Sequence, residues 1–229
     1  CGLLLAGGDC GLLGADLRIN SIRPLPPAYR TAAQQRGLRV ASTASFPSMV
    51  ANTNESLLSE IQAVEDGYPL RGKIEIADAD QNAAQYKDTT SGNKTTQGYT
   101  AQAVPARGTL WADERLMRRM AVRLGDEINL GELRLRLVAR VIKDVDQSIS
   151  FASIAPRIHI NMADLAATGL VQEGSRINYR LLVAGDSQQV ERYRNWVEAQ
   201  IKPGEKIEDV RDARPEIRPA MERAEHFLG

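Results

Sequence analysis

The 229-residue chain contains only two cysteines, Cys1 and Cys10, and both lie at its N-terminal end. A disulfide between them would brace nothing else, so the body of the protein folds without covalent cross-links. Histidine is equally scarce, with only His159 and His226. Two distant histidines and two terminal cysteines do not form a compact ligand set, so we predict no metal site.

The chain also lacks a long hydrophobic run, since none approaches the ~20 apolar residues that a membrane-spanning helix needs. The nearest candidate, Cys1 to Gly14, is short and is interrupted by Asp9. No basic segment precedes it, so it also differs from an ordinary signal peptide. We interpret it as the remainder of a longer helix or as a terminal tail.

An excess of charge of either sign is missing as well, because Lys+Arg and Asp+Glu both total 29. A general nucleic-acid-binding protein needs a basic excess to offset the phosphate charges. Nucleic acid is therefore not an expected partner. The hydrophobic fraction of 43% is that of an ordinary globular protein with a substantial core.

Motifs for nucleotide binding are absent, because neither G-x-x-x-x-G-K-[ST] nor G-x-G-x-x-G after a strand occurs. Gly8-Asp9-Cys10 is similar to the Gly-Asp-Ser block of lipolytic esterases, which leaves a hydrolase using Cys10 as an alternative. However, the Asp-x-x-His motif of those enzymes is absent, because neither His159 nor His226 has an aspartate three positions before it. G-x-S-x-G is also missing. Because a nucleophile needs a base within reach, we predict a non-enzyme without catalytic or cofactor-binding residues.

The remaining residues of types that often form sites have structural interpretations. His159 follows an isoleucine in a predicted strand, and we expect it to face solvent or to make a structural hydrogen bond. His226 lies near the end of a predicted helix, where its imidazole interacts favourably with the dipole. Trp111 and Trp196 are expected to anchor the core. The pair in Asp78-Ala79-Asp80 lacks the spacing of a calcium loop, so we expect a solvated loop.

Two strand–helix–strand units are predicted near the ends of the chain. In the first, a strand at 17–22 precedes a proline-initiated helix that ends at Gly37, and a strand follows at 38–46. In the second, a strand at 176–184 precedes a helix capped by Asp186 or Ser187. A strand at 206–210 completes that unit, and a helix is predicted beyond Pro215.

The stretch between these units is predicted to be rich in β-structure. Ser56 to Val64 and Arg157 to Ile160 are expected strands, whereas residues 78–102 are polar and predict a long hairpin or a mobile loop. Asp113 is a good helix N-cap, and Asn161 is expected to cap a helix ending near Gly169. Leucines alternate with arginines over 133–137, which predicts a half-buried strand with a basic outer face. Two such units around a β-rich middle imply one split domain that carries an inserted one.

Eight segments of the chain together form a recognisable ordered set. In chain order they are Leu13-Gly14-Ala15-Asp16-Leu17, Arg23-Pro24-Leu25-Pro26, Tyr68-Pro69-Leu70-Arg71-Gly72, Gly108-Thr109-Leu110-Trp111-Ala112-Asp113-Glu114-Arg115-Leu116, Arg123-Leu124-Gly125-Asp126-Glu127-Ile128, Thr168-Gly169-Leu170, Gly174-Ser175-Arg176-Ile177-Asn178-Tyr179-Arg180 and Arg214-Pro215-Glu216-Ile217. These segments resemble the periplasmic region of YbbP-like permeases, which are members of the MacB/LolC/FtsX-like class. The ordered set covers roughly residues 13 to 229.

The resemblance implies an α+β fold with a split, βαβ-containing porter-like lobe and an inserted, β-rich sabre-like lobe. The expected boundaries are 14–76 for the first half of the porter-like lobe, 77–165 for the sabre-like lobe, and 166–229 for the second half with the start of a stalk helix. Two departures from the family are the absence of a polar stalk in Cys1 to Leu12 and an extra loop at Asp88 to Tyr99.

The resemblance also implies a function in transport. Such a region lies in the periplasm between two transmembrane helices of an inner-membrane ABC transporter permease, which works with a cytoplasmic ATPase and forms a permease pair. It would couple ATP-driven helix motion to the handling or export of a hydrophobic substrate, or to a periplasmic partner such as a lipolytic esterase. The family carries no catalytic motif to transfer. A soluble ligand-binding module remains the alternative, with the Cys10 hydrolase as a further one.

Overall fold

The computed structural model describes residues 14–78, 98–145, 155–172 and 174–209. Its strands are β1 (Leu17–Ser21), β2 (Arg39–Ala51), β3 (Ser56–Val64), β4 (Glu75–Asp78), β5 (Tyr99–Thr100), β6 (Thr109–Asp113), β7 (Glu127–Leu130), β8 (Leu133–Lys143), β9 (Arg157–Asn161), β10 (Asn178–Ala184) and β11 (Glu205–Asp209). Its α-helices are α1 (Pro27–Gln35), α2 (Glu114–Arg119) and α3 (Ser187–Glu198), and 3-10 helices cover Met162–Asp164 and Ala166–Thr168. The predicted α+β class is confirmed.

The two strand–helix–strand units interleave in one sheet. The strand order is β11-β1-β10-β2, and each neighbouring pair is antiparallel. Strands β1 and β2 therefore run parallel to each other with β10 between them, which is a split βαβ arrangement. Helices α1 and α3 cover one face of these four strands.

A hydrophobic core joins the two helices to this sheet. Its buried members are Leu17, Ile19, Tyr29, Ala32, Ala33, Leu38, Leu181, Val183, Val190, Tyr193 and Val197. The hydroxyl of Tyr193 donates a 3.0 Å hydrogen bond to the backbone oxygen of Tyr29. Trp196 lies at the edge of the core, with its ring 6.0 Å from that of Tyr193. It contributes to the core as predicted.

Six strands close into a barrel beside the helix-covered sheet. Pairing runs from β2 to β3, β9, β6, β8 and β7, and β7 pairs back onto β2 through Val50–Leu130 and Ala51–Asn129. The largest fully buried side chains inside are Ile61, Leu110, Leu116, Ile128, Leu130, Leu135, Leu137, Ile158 and Ile160. Arg134 and Arg136 are exposed, whereas Leu133 is half-buried and Leu135 and Leu137 are buried, which confirms the half-buried strand with a basic outer face.

Strand β2 belongs to both the helix-covered sheet and the barrel. Ala44 of β2 is level with Ser21, the last residue of β1, because both residues pair with Tyr179 of β10. Residues 45–51 continue for about 23 Å as one arm of the hairpin with β3. Strands from 14–76 and from 77–165 thus share one hydrogen-bonded sheet, and the division at these boundaries stays a prediction.

Several predicted boundaries hold, and others shift by a few residues. The Asp113 carboxylate accepts from Leu116 N at 2.9 Å, and Asp186 caps α3 by accepting from Gln188 N at 3.0 Å. The predicted short helix after Asn161 is present as two 3-10 helices, with Asn161 capping the first and left-handed Gly169 ending the second. Strand β5 lies within 78–102 and pairs antiparallel with β4, which fits the hairpin alternative for this stretch. Residues 79–97 and the helix predicted beyond Pro215 lie outside the described residues.

Candidate functional site

The structure keeps the sequence-derived candidates apart and gives the described ones structural contacts. Cys1, Cys10 and His226 lie outside the described residues, so the hydrolase alternative stays untested. Asp78 accepts a hydrogen bond from the hydroxyl of Tyr99 on the neighbouring strand β5. Within the described ranges, no group of three His, Cys, Asp or Glu side chains could hold a metal ion.

His159 is buried beside the Asp144 carboxylate, which also pairs with Arg157. Its side chain is 1% exposed, and Nε2 lies 3.1 Å from Oδ2 of Asp144. Nη1 of Arg157 lies 2.9 Å from the same carboxylate oxygen. The solvent-facing alternative for His159 is wrong. Its interaction with Asp144 is a close charge contact, because neither ring nitrogen makes a hydrogen bond of good geometry to the described residues. Burial alone would raise the pKa of Asp144, but His159 and Arg157 together hold it well below its usual range.

A row of side chains crosses the sheet at His159 on the outer face of the barrel. Ser45 pairs with Gln62, Gln62 with His159, and His159 with Trp111 on successive strands. Gln62 Nε2 donates to the hydroxyl of Tyr68 at 3.0 Å. All five side chains are buried, so the row fastens the 68–72 turn to the barrel and offers no open catalytic cleft.

One end of the helix-covered sheet holds both the first and the last described strands. Leu17 is the register partner of Asp209 on the adjacent antiparallel strand β11. Strand β1 therefore begins and strand β11 ends at the same end of this sheet, which we call the terminal end. Two ion-paired aspartates lie there.

The first aspartate, Asp16, connects two of the segments singled out in the sequence. Arg71 donates to its carboxylate from Nε at 2.9 Å and from Nη2 at 2.8 Å. The backbone N–H of Gly185 donates to Asp16 Oδ2 at 3.0 Å, and the backbone N–H of Arg71 donates to the oxygen of Gly14 at 2.9 Å. We call Asp16, Arg71 and Gly185 the N-terminal clamp. Local sequence patterns could not predict the pairing of Asp16 with Arg71, because the two residues are 55 positions apart in the chain.

The second aspartate, Asp209, is 3% exposed. Nη1 of Arg194 on α3 lies 3.2 Å from its Oδ2, while Nε of Arg194 donates to Glu198 at 2.9 Å. We call Arg194 and Asp209 the C-terminal clamp. Strands β1 and β11 are thus each restrained at the terminal end by an arginine that belongs to neither of them.

The β2–β3 hairpin lies at the opposite end and carries exposed apolar side chains. Met49 is 52% exposed and Leu58 is 53% exposed, and they face each other across the two strands. Nδ2 of Asn52 donates to the backbone oxygen of Met120 at 3.0 Å, which fastens the turn to the end of α2. The hairpin is therefore braced against the barrel and exposes an apolar pair on its outer face.

The chain is 29% identical over 216 residues to the ABC transporter permease YbbP of Escherichia coli strain K12. This match covers 94% of the chain but 24% of the permease, so the chain spans about a quarter of the length of that relative. The resemblance to YbbP-like permeases is confirmed. No family model matches the chain.

Two solved structures are similar in fold. The extracellular domain of the noncanonical ABC-type transporter YknZ from Gram-positive bacteria has a TM-score of 0.48 at 10% identity, covering 84% of this chain and 100% of that one. The periplasmic region of MacB from Actinobacillus actinomycetemcomitans also has a TM-score of 0.48, at 11% identity, covering 90% and 95%. In the described ranges, no helix has the length and apolarity needed to cross a membrane.

Proposed function

We propose that this chain is the periplasmic domain of a bacterial inner-membrane ABC transporter permease of the YbbP-like class. The observation that carries the proposal is the similarity to such a permease along 94% of the chain. The terminal end supports it independently, because a domain placed between two membrane helices has to return to the membrane from which it started. The pairing of Leu17 with Asp209 meets that requirement.

Within the permease, the domain couples ATP-driven movement of the transmembrane helices to the handling or export of a hydrophobic substrate, or to a periplasmic partner. A porter-like lobe from 14–76 and 166–229 and a sabre-like lobe from 77–165 would divide this work. The continuous strand β2 supports such coupling, because backbone hydrogen bonds connect the terminal end to the hairpin about 23 Å beyond the end of β1. The domain itself is proposed to be non-catalytic.

The proposed partners follow from the same class of transporter. They are a cytoplasmic ATPase bound to the membrane part of the permease, a second permease copy, and a periplasmic protein such as a lipolytic esterase. The apolar pair Met49 and Leu58 supports an apolar substrate or partner surface, because exposed apolar groups that lie together favour association in water.

Cysteine labelling in the full-length permease tests this placement. The native cysteines are replaced by serine, and Thr53, which is exposed in the hairpin turn, is changed to cysteine. We expect a membrane-impermeant maleimide to label Thr53→Cys in cells with a permeabilised outer membrane and an intact inner membrane. Ile61→Cys is the matched control on the same hairpin, because its side chain is 0% exposed in the barrel and should react only after denaturation.

Two results would redirect the proposal. Labelling of Thr53→Cys only after the inner membrane is opened would place the domain in the cytoplasm and contradict it. Lipid that co-purifies with the isolated chain, together with a free-standing gene product, would favour the soluble ligand-binding module. A Cys10→Ala variant that retains all of an esterase activity would remove the hydrolase mechanism that uses Cys10.

A further inference from the structure

The pairing at the terminal end has a mechanical consequence. Strand β11 lies at the edge of the sheet and pairs with β1, and Leu17 and Asp209 form the outermost pair. A force that separates the two ends of the domain therefore loads the β1–β11 hydrogen bonds one after another, starting at that pair. Single backbone hydrogen bonds contribute little individually, so this pair of strands would open easily if nothing else held it.

The N-terminal clamp offers such a restraint before β1 begins. The two parallel hydrogen bonds from Arg71 to Asp16 are of the charge-assisted, bidentate type, which is stronger than neutral pairing. Arg71 follows Tyr68 and Leu70, which are buried in the same core as Ala15 and Trp111. Force on the N-terminal segment thus passes to the core between the sheet and the barrel.

The C-terminal clamp directs force to a different layer. Asp209 is buried and is held by Arg194, whose helix α3 contributes Val190, Tyr193 and Val197 to the core under the helices. Force on the C-terminal segment thus passes to α3 and the helix-covered face. The two segments are restrained by different elements, so neither depends on the β1–β11 pair alone.

We propose that the two clamps are the joints through which movement of the adjoining transmembrane segments enters the domain. This inference rests on the proposed function for the source of the movement, but its mechanical part concerns the chain alone. Arg71 and Arg194 act as positioning residues, because each acts by holding an aspartate at the end of a strand.

Force spectroscopy on the chain, pulled by its two ends, tests the mechanical part. We expect Arg71→Ala and Arg194→Ala to unfold several-fold faster at a fixed force than the parent chain. Arg134→Ala is the matched control, since it removes an exposed ion pair to Glu127 on the barrel and should not change that rate. Ile128→Val serves as a second comparison, because it lowers the free energy of unfolding without touching either clamp.

Comparing unfolding under force with unfolding in denaturant distinguishes a role of the clamps in transmitting force from a general contribution to stability. For the same decrease in the free energy of unfolding, the inference predicts a larger increase in the unfolding rate under force for the clamp variants than for Ile128→Val. If the increase in that rate depends only on the decrease in the free energy of unfolding, the inference is overturned. If Arg71→Ala does not fold, Arg71→Lys keeps the charge but loses the bidentate geometry, and an unchanged unfolding rate in that variant would overturn the inference as well.

A second measurement addresses the source of the movement. In the full-length permease with its ATPase, ATP is expected to change amide hydrogen exchange in the β2–β3 hairpin, and Arg71→Ala is expected to confine the change to residues near Asp16. A hairpin response that is unchanged in Arg71→Ala would overturn the clamp inference. An absence of response in the parent permease would instead contradict the proposed function, while the force measurement would still decide the role of the clamps.

Discussion

Leu17 lies directly opposite Asp209, so the first and last described strands are antiparallel neighbours. Each of these strands is also held at that end by an arginine from elsewhere in the chain, Arg71 for Asp16 and Arg194 for Asp209. A domain tied in this way restrains the spacing between Leu17 and Asp209. If the two clamps are the proposed joints, movement applied there is passed into the sheet and is not absorbed by fraying of its edge.

Asp144→Asn is expected to destabilise the fold strongly. The substitution removes the carboxylate charge that faces His159 and Arg157 in a buried setting. Leaving buried charge without its partner costs about 3 kcal/mol of the free energy of unfolding, which urea unfolding at pH 7 would measure. Glu127→Gln removes an exposed partner of Arg134 and should leave stability nearly unchanged; equal effects of the two variants would contradict this account.

The contribution of Asp144 is also expected to depend on acid pH. Because its pKa in the folded protein lies below the ordinary value of 3.8, the folded state binds the proton less readily than the unfolded state. The stabilisation is therefore fully present above pH 3.8 and is lost as the pH falls below it. Urea unfolding at a series of pH values should show the parent chain and Asp144→Asn converging in acid, and a constant difference would argue against the assignment.

Tyr29→Phe is expected to alter stability at alkaline pH. The Tyr29 hydroxyl donates its hydrogen bond to Glu205 Oε2 at 2.7 Å and also lies 3.0 Å from the backbone oxygen of Gln200. Burial and the neighbouring Glu205 carboxylate raise the pKa of Tyr29 from 10.0 to about 12. The related stability is complete below pH 10 and is lost as the pH rises toward 12. Thermal unfolding between pH 9 and 12 should show a smaller decline in Tyr29→Phe than in the parent.

Gly131→Ala is expected to disrupt the turn between β7 and β8. Gly131 has a φ of 56°, and an added Cβ would collide with the backbone oxygen of Thr168. Strain and overpacking together should cost about 2–4 kcal/mol of the free energy of unfolding. Gly108→Ala provides the control, because its φ is 75° but no atom lies within 4 Å of the added Cβ. A loss in Gly108→Ala as large as that in Gly131→Ala would show that the contact with Thr168 is unimportant.

Leu135→Ala is expected to lower the free energy of unfolding much more than Leu58→Ala does, because only the first lies in the core of the barrel. Leu135 is 0% exposed inside the barrel, whereas Leu58 is 53% exposed on the hairpin. The cavity left at Leu135 should cost about 2–5 kcal/mol, while truncation at Leu58 should remain within about 0.5 kcal/mol. Denaturant unfolding measures both. A large loss in Leu58→Ala would mean that this side chain is covered in solution.

Local sequence patterns predicted most elements because their signals are short-range. Alternation over Leu133–Leu137 marked a half-buried strand, and Asp113 and Asp186 marked helix starts through side-chain caps, which the structure contains. The environment of His159 was harder to predict, since an imidazole in a strand could either face solvent or make a structural hydrogen bond. Its burial depends on Asp144 and on the strands that bring Gln62 and Trp111 to either side.

The order of motifs along the chain determined the similarity to YbbP-like permeases, and periodicity determined the two strand–helix–strand units. Both follow from residues close together in sequence, whose spacing sets local backbone geometry. Only the tertiary structure decided that these units interleave, that β2, β3, β9, β6, β8 and β7 close into a barrel, and that Asp16 meets Arg71. Those contacts join residues far apart in the chain, and their partners are selected by burial of the whole core and by hydrogen bonding of the whole sheet, which no local pattern specifies.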